Sequence, residues 1–168
     1  MPGINIWTVG KARPNKSNSA LVKVQSINLD NYIGTGLNKR EKVWHQVAAF
    51  PAWFQRGLSK VTAEYTMMDG YIEVKNAGTR SDGTRKIQMG KAFPSDKKNT
   101  LLVQFFWLQP KADYIIEFVD QNYQYAIVGS SSKRYLWILA RGEVTPSIYQ
   151  ELVSIANRKG YDVQRLES

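Results

Sequence analysis

His45 is the chain's single histidine, and it stands beside Trp44 in a run with no acidic neighbour. A general base needs a group to orient it and a proton within reach, so a lone strand histidine reads as structural or exposed. With no cysteine, the chain offers no thiolate nucleophile, disulfide or thiolate metal site. Zinc sites draw on several His or Cys ligands, so no protein-held metal is expected. The sequence also lacks paired carboxylates, a glycine-rich phosphate loop and a Ser-His-Asp order. The acids that stand out, Asp69 before Gly70 and Asp120, read as turn formers. Neither catalysis nor a cofactor is expected.

What remains is basic and aromatic. Net charge is +9, and the first 42 residues carry seven basic side chains against only Asp30 and Glu41. Such an asymmetry suggests an arm meeting an anionic protein surface or membrane, an organellar leader, or a solvated tail. Residues 1–28 are Ser/Asn-rich, with no acid before Asp30, and they show neither the apolar core of a secretory signal nor a lipobox. That composition is compatible with a mitochondrial leader and leaves the compartment open. The basic stretches Lys39–Lys42 and Thr84–Lys86 lack interleaved aromatics, so no specific nucleic-acid binding is expected. No apolar run approaches the ~20 residues of a membrane-spanning helix. Aromatics make up 12% of the chain, with five Trp and nine Tyr. That content favours β structure or a ligand-lined surface over a helical bundle.

The elements that would position these side chains follow from periodicity. From Val43 the chain is a succession of short runs: Val43–Phe50, Lys60–Met68, Tyr71–Ala77, Arg85–Phe93, Thr100–Trp107, Tyr114–Val119, Gln124–Gly129 and Tyr135–Arg141. Turn residues separate them, at Asp69-Gly70, Ser81-Asp82-Gly83, Pro94-Ser95-Asp96, Gln109-Pro110, Asp120–Tyr123 and Ser130–Lys133. Eight runs with short links predict an all-β, eight-stranded antiparallel up-and-down barrel. After Arg141 the period becomes helical. Thr145 can cap, Pro146 suits the first turn, Ile148, Leu152 and Ile155 form one stripe, and Gly160 suits a left-handed C-terminal cap. One amphipathic helix, 146–159, is predicted to pack on the barrel wall. The reading divides the chain into a basic arm, 1–28, and a barrel with its helix, 29–168.

Three stretches carry a family resemblance. Trp44-His45-Gln46-Val47-Ala48 through Phe54-Gln55-Arg56-Gly57-Leu58 resembles the first strand and opening loop of lipocalins. The likeness is to the bacterial outer-membrane and apolipoprotein D-like branch, with its W-Y-E-I-A and F-x-R-G-L. Val119-Asp120-Gln121-Asn122-Tyr123-Gln124-Tyr125-Ala126 resembles the second family motif, and Tyr135-Leu136-Trp137-Ile138-Leu139-Ala140-Arg141 the third. The chain departs from the pattern once, since Trp44 arrives eight residues late, after the polar, basic Leu37–Lys42. This insertion bears on how the lead-in segment crosses the closed end. By resemblance, the setting would be membrane-associated or periplasmic.

One end of such a barrel must be plugged. Trp44 would fill it, and Arg141 would lie over the Trp face by cation–π contact while donating to carbonyls of the N-terminal segment. Alternation nominates Tyr65, Phe105, Tyr114, Phe118, Tyr135 and Trp137 as lining residues of the calyx, with Trp53 and Phe54 at its mouth. The function this implies is binding of a small apolar ligand, such as a fatty acid or lysophospholipid, by a carrier or storage protein. The alternative is an accessory subunit that docks through its basic arm.

Overall fold

A computed structural model describes residues 21–105 and 108–168. Eight antiparallel strands close into one barrel: β1 (Trp44–Ala49), β2 (Ser59–Met67), β3 (Ile72–Thr79), β4 (Arg85–Pro94), β5 (Thr100–Phe105), β6 (Leu108–Val119), β7 (Tyr125–Gly129) and β8 (Leu136–Ala140). Each strand pairs with the next, and β8 pairs back onto β1 through His45↔Ala140 and Gln46↔Leu139. Closure gives every strand a partner on both sides. Three α-helices, α1 (Leu29–Ile33), α2 (Lys39–Lys42) and α3 (Pro146–Arg158), and two 3-10 turns, Trp53–Gln55 and Val163–Arg165, complete the described chain.

The strand order is the one the spacing predicts, with one local correction. Gln109-Pro110, read as a turn, falls inside β6. A proline lacks the N–H a central strand needs, but β6 joins β7 only from Ile115 onward, so residues 108–114 pair on one side alone. The preceding Trp107, the end of the fifth predicted run, lies outside the described residues.

Thr145 caps α3, its side chain accepting from the Ile148 backbone N–H at 3.1 Å, and Pro146 occupies the first turn. Lys159 is the C-cap, and Gly160 follows in the left-handed region at φ +95°. Leu152 and Ala156 are fully buried against an outer-wall cluster that includes Phe50, Ile127, Leu136, Ile138 and Tyr161. Tyr161 packs so closely on the wall that a Cβ at Gly129 would lie 2.0 Å from its hydroxyl oxygen, which donates to Glu117 Oε2 at 2.6 Å.

The closed end is built by the lead-in segment. Residues 1–20 of the expected arm lie outside the described residues, while 21–28 run across the barrel bottom. The Val24 N–H donates to the Val119 carbonyl at 3.0 Å, and the Gln121 N–H to that of Val22 at 2.8 Å. Leu21 is buried, Val24 and Ile27 pack on the core clusters, and the Asn28 N–H donates to the Tyr123 hydroxyl at 2.9 Å. The Asn28 side chain also caps α1 by accepting from the Asn31 N–H.

These contacts set the expected effect of removing residues 1–28. Each apolar side chain withdrawn from water contributes ~1.5–3 kcal/mol, part of which the freed backbone entropy offsets. A truncation to residue 29 is therefore expected to lose about 2–4 kcal/mol. Thermal melting checks this: a midpoint unchanged to within a degree or two would return the segment to the status of a loose arm.

Candidate functional site

Inward-facing side chains enclose a cavity of about 180 Å³, lined by residues of the opening loop and of every strand except β4. Strand alternation delivers most of the wall: Val61, Ala63 and Tyr65 from β2, Val103 and Phe105 from β5, Trp137 and Leu139 from β8. Among the described residues no Lys or Arg lines it, and Asp113 is the one lining carboxylate. On β4, Gly90 makes room for Phe105, since a Cβ there would sit 2.6 Å from the Phe105 ring.

Of the eight residues nominated for the calyx, six line it: Phe54, Tyr65, Phe105, Tyr114, Tyr135 and Trp137. Trp53 does not. It stands edge-on against Phe54, with ring centroids 5.5 Å apart, and is 60% exposed beside the mouth. Phe118 is a correction of a different kind. A bulge shifts the β6–β7 register between Ile116 and Phe118, so the in-out alternation resets. Ile116 and Val119 face the interior, and Phe118 faces the outer wall beneath α3.

The mouth is an aromatic stack. Tyr135 lies parallel to Trp137 at 5.8 Å and 12°, and Phe54 tilts against Tyr135 at 5.8 Å. The Trp137 indole N–H points to Gln55 Oε1 at 3.4 Å, tying the short 3-10 turn Trp53–Gln55 to β8.

The floor is polar. The Tyr114 hydroxyl lies 2.5 Å from that of Tyr32 and 2.6 Å from that of Tyr65. Burial pushes Tyr65 up to about 12 and holds Tyr32 and Tyr114 well above the ordinary phenol range, so all three are neutral donors at physiological pH. Beneath them Trp44 is fully buried, its indole N–H donating to the Tyr32 carbonyl at 2.9 Å. The Arg141 guanidinium lies 4.1 Å from the Trp44 ring centroid. It also donates to four carbonyls: Tyr32 at 2.7 Å, Tyr123 at 3.1 Å, and Asn31 and Lys42 at 3.2 Å.

The inserted segment leaves this plug intact because its two ends meet. Gly34, at φ +85°, lies so near Lys42 that a Cβ would come within 2.8 Å of the Lys42 Cβ. Residues 35–41 between them are exposed. His45 points outward from β1 and is exposed, away from the cavity.

The three resembling stretches thus converge on one barrel, and comparison with known proteins identifies it. A family model for a lipocalin-like domain matches residues 27–168. The chain belongs to the lipocalin family. It is 33% identical over 155 residues to temperature-induced lipocalin-1 of Arabidopsis thaliana, a match covering 85% of this chain and 78% of that one. It is 31% identical over 146 residues to the outer membrane lipoprotein Blc of Escherichia coli K12, covering 84% and 78%. Lobster apocrustacyanin A1 shares the fold at a TM-score of 0.60 and 18% identity, over 88% of each chain. Binding of small hydrophobic ligands is the activity that comes with this lipocalin's family.

Two residues of the calyx floor and wall show why the sequence reading was incomplete. Tyr32, hydrogen-bonded beneath the cavity, was hidden in an unrecognised short helix, and the lining residue Gln46 is polar on an inward face, where alternation seeks apolar ones. The signal for Gln46 was its place two residues after Trp44 on one strand, hence on the same face.

Proposed function

We propose that this lipocalin is a carrier or storage protein for a single slender apolar ligand, a fatty acid, lysophospholipid or similar molecule. The observation that carries the reading is the calyx itself, walled by Val, Ala, Leu and Phe and ringed at its mouth by Phe54, Tyr135 and Trp137. Pockets for drug-sized molecules run to ~300–1,000 Å³, so about 180 Å³ suits one chain rather than a bulky ring system. The described part of the arm turns onto its own barrel, which favours the carrier over the docking subunit. Similarity to an outer membrane lipoprotein supports a membrane-associated or periplasmic setting over an organellar one. No described helix is long and apolar enough to cross a membrane.

The test is titration of the full chain with saturated fatty acids of increasing length, read by Trp137 fluorescence, beside mass spectrometry of lipid extracted from detergent-free protein. Each buried methylene contributes ~0.8 kcal/mol, so affinity is expected to rise about fourfold per carbon until the calyx is full. Gly90→Ala, which drives Phe105 inward, is expected to bring that plateau to shorter chains. Flat affinity across chain length, with no extractable lipid, would defeat the carrier reading.

A further inference from the structure

The two ends of the barrel differ in charge. In an up-and-down barrel alternate connections share one end, so the β1–β2, β3–β4 and β7–β8 connections surround the mouth. Residues 50–60, 80–85 and 130–135 bring Arg56, Lys60, Arg80, Arg85, Lys133 and Arg134 there, against Asp82 alone. The turns at the closed end, residues 68–71, 95–99 and 120–124, carry Lys97 and Lys98 against Asp69, Asp96 and Asp120. Lys133 is held on the outer wall, 3.7 Å from Glu117 and over the Tyr161 ring. Arg56, Lys60, Arg80, Arg85 and Arg134 are exposed, and none forms an ion pair among the described residues.

The same rim presents apolar surface. Trp53 is 60% exposed beside the aromatic stack of the mouth, and Ile87, the next outward position after Arg85 on β4, is 54% exposed. Cations together with an indole suit the headgroup layer of a bilayer, where the charges reach anionic lipids and the indole sits at the interface. An acidic protein would match the charges alone. The position of the ring adds a reason, since it surrounds the entrance of an apolar calyx. A ligand that water holds poorly passes directly between bilayer and calyx when the mouth faces the bilayer. We propose that the open rim docks on an anionic membrane surface, with Trp53 in the headgroup layer, and that the ligand is exchanged there. The exchange rests on the carrier reading, whereas the docking stands without it.

The test sediments the full-length protein with phosphatidylcholine vesicles, plain or containing about 30% phosphatidylserine. Binding is expected to require phosphatidylserine and to weaken as ionic strength rises above about 0.1 M, where exposed charges are screened beyond ~10 Å. Each basic side chain near such a surface strengthens binding about fivefold, so Arg56→Glu/Arg134→Glu is expected to lose at least about tenfold. Lys39→Glu/Arg40→Glu makes the same change in net charge on the inserted segment at the closed end, and is expected to lose less than about twofold. Arg56→Gln/Arg134→Gln serves if the reversed pair melts early. Brominated acyl chains in the vesicles are expected to quench tryptophan emission, and Trp53→Phe to remove most of that quenching. Equal binding to both vesicles, or equal loss in the two charge-reversed variants, overturns the proposal. So does capture of polyglutamate without vesicle binding, which would make the rim a face for an acidic protein. Vesicle binding alongside a flat fatty-acid titration would uphold the docking and defeat the carrier reading alone.

Discussion

Trp44→Ala is expected to destabilise the barrel by ~3–5 kcal/mol, the range for deleting a large buried aromatic from a packed core. The ring has no solvent-exposed surface, lies tilted against Tyr32 with ring centroids 5.2 Å apart, and carries the Arg141 guanidinium on its face. The Tyr32 carbonyl would also lose the indole donor. Arg141→Leu should cost a comparable amount by another route. It keeps much of the volume but strips donors from the carbonyls of Asn31, Tyr32, Lys42 and Tyr123, which belong to three separate segments. Because both residues act on one plug, the double variant should lose less than the sum of the singles. Urea unfolding of the four proteins measures this. A Trp44→Ala midpoint close to wild type would mean that Tyr32 and the lead-in close the end without the indole, and strict additivity would separate the two residues.

That plug was legible because its parts are chemically distinctive. A tryptophan opening the first strand and an arginine ending the last have few other joint uses in a barrel. Strand count and the C-terminal helix were legible for a similar reason, since alternation, turn residues and the Thr145-Pro146 start each state a local preference that the fold honours. Phe118 was misread because period-2 reasoning assumes an unbroken ladder, and one bulge in β6 inverts every side chain beyond it. Net charge says nothing about Leu21, Val24 and Ile27, whose apolar contacts hold residues 21–28 against the barrel. Tyr32 was invisible for want of any pattern. Its place under the calyx comes from a five-residue helix capped by Asn28 and ended by left-handed Gly34, a geometry set by the plug it packs against.

The same cluster predicts a steep loss of stability in alkali. In the unfolded chain the phenols ionise near their ordinary value of about 10, whereas in the barrel burial pushes Tyr65 up to about 12 and Tyr32 and Tyr114 well above the ordinary value. Below pH 10 both states hold these protons, so the contribution is present in full. As pH rises past 10 the unfolded state releases them and the folded state does not, and stability falls by ~1.4 kcal/mol per pH unit for each tyrosine still protonated in the barrel. For Tyr65 alone the fall runs to about pH 12. With all three the slope approaches ~4 kcal/mol per unit, enough to unfold a domain of ordinary stability within two units. Urea midpoints from pH 8 to 11.5, with phenolate absorbance recorded in parallel, give the result directly. Several phenols should ionise together with unfolding, and Tyr65→Phe, which removes one of the three, should flatten the slope by about a third. Ionisation of every tyrosine near pH 10 with the barrel still folded would mean that water reaches the hydroxyl cluster, and the floor of the calyx would then be open.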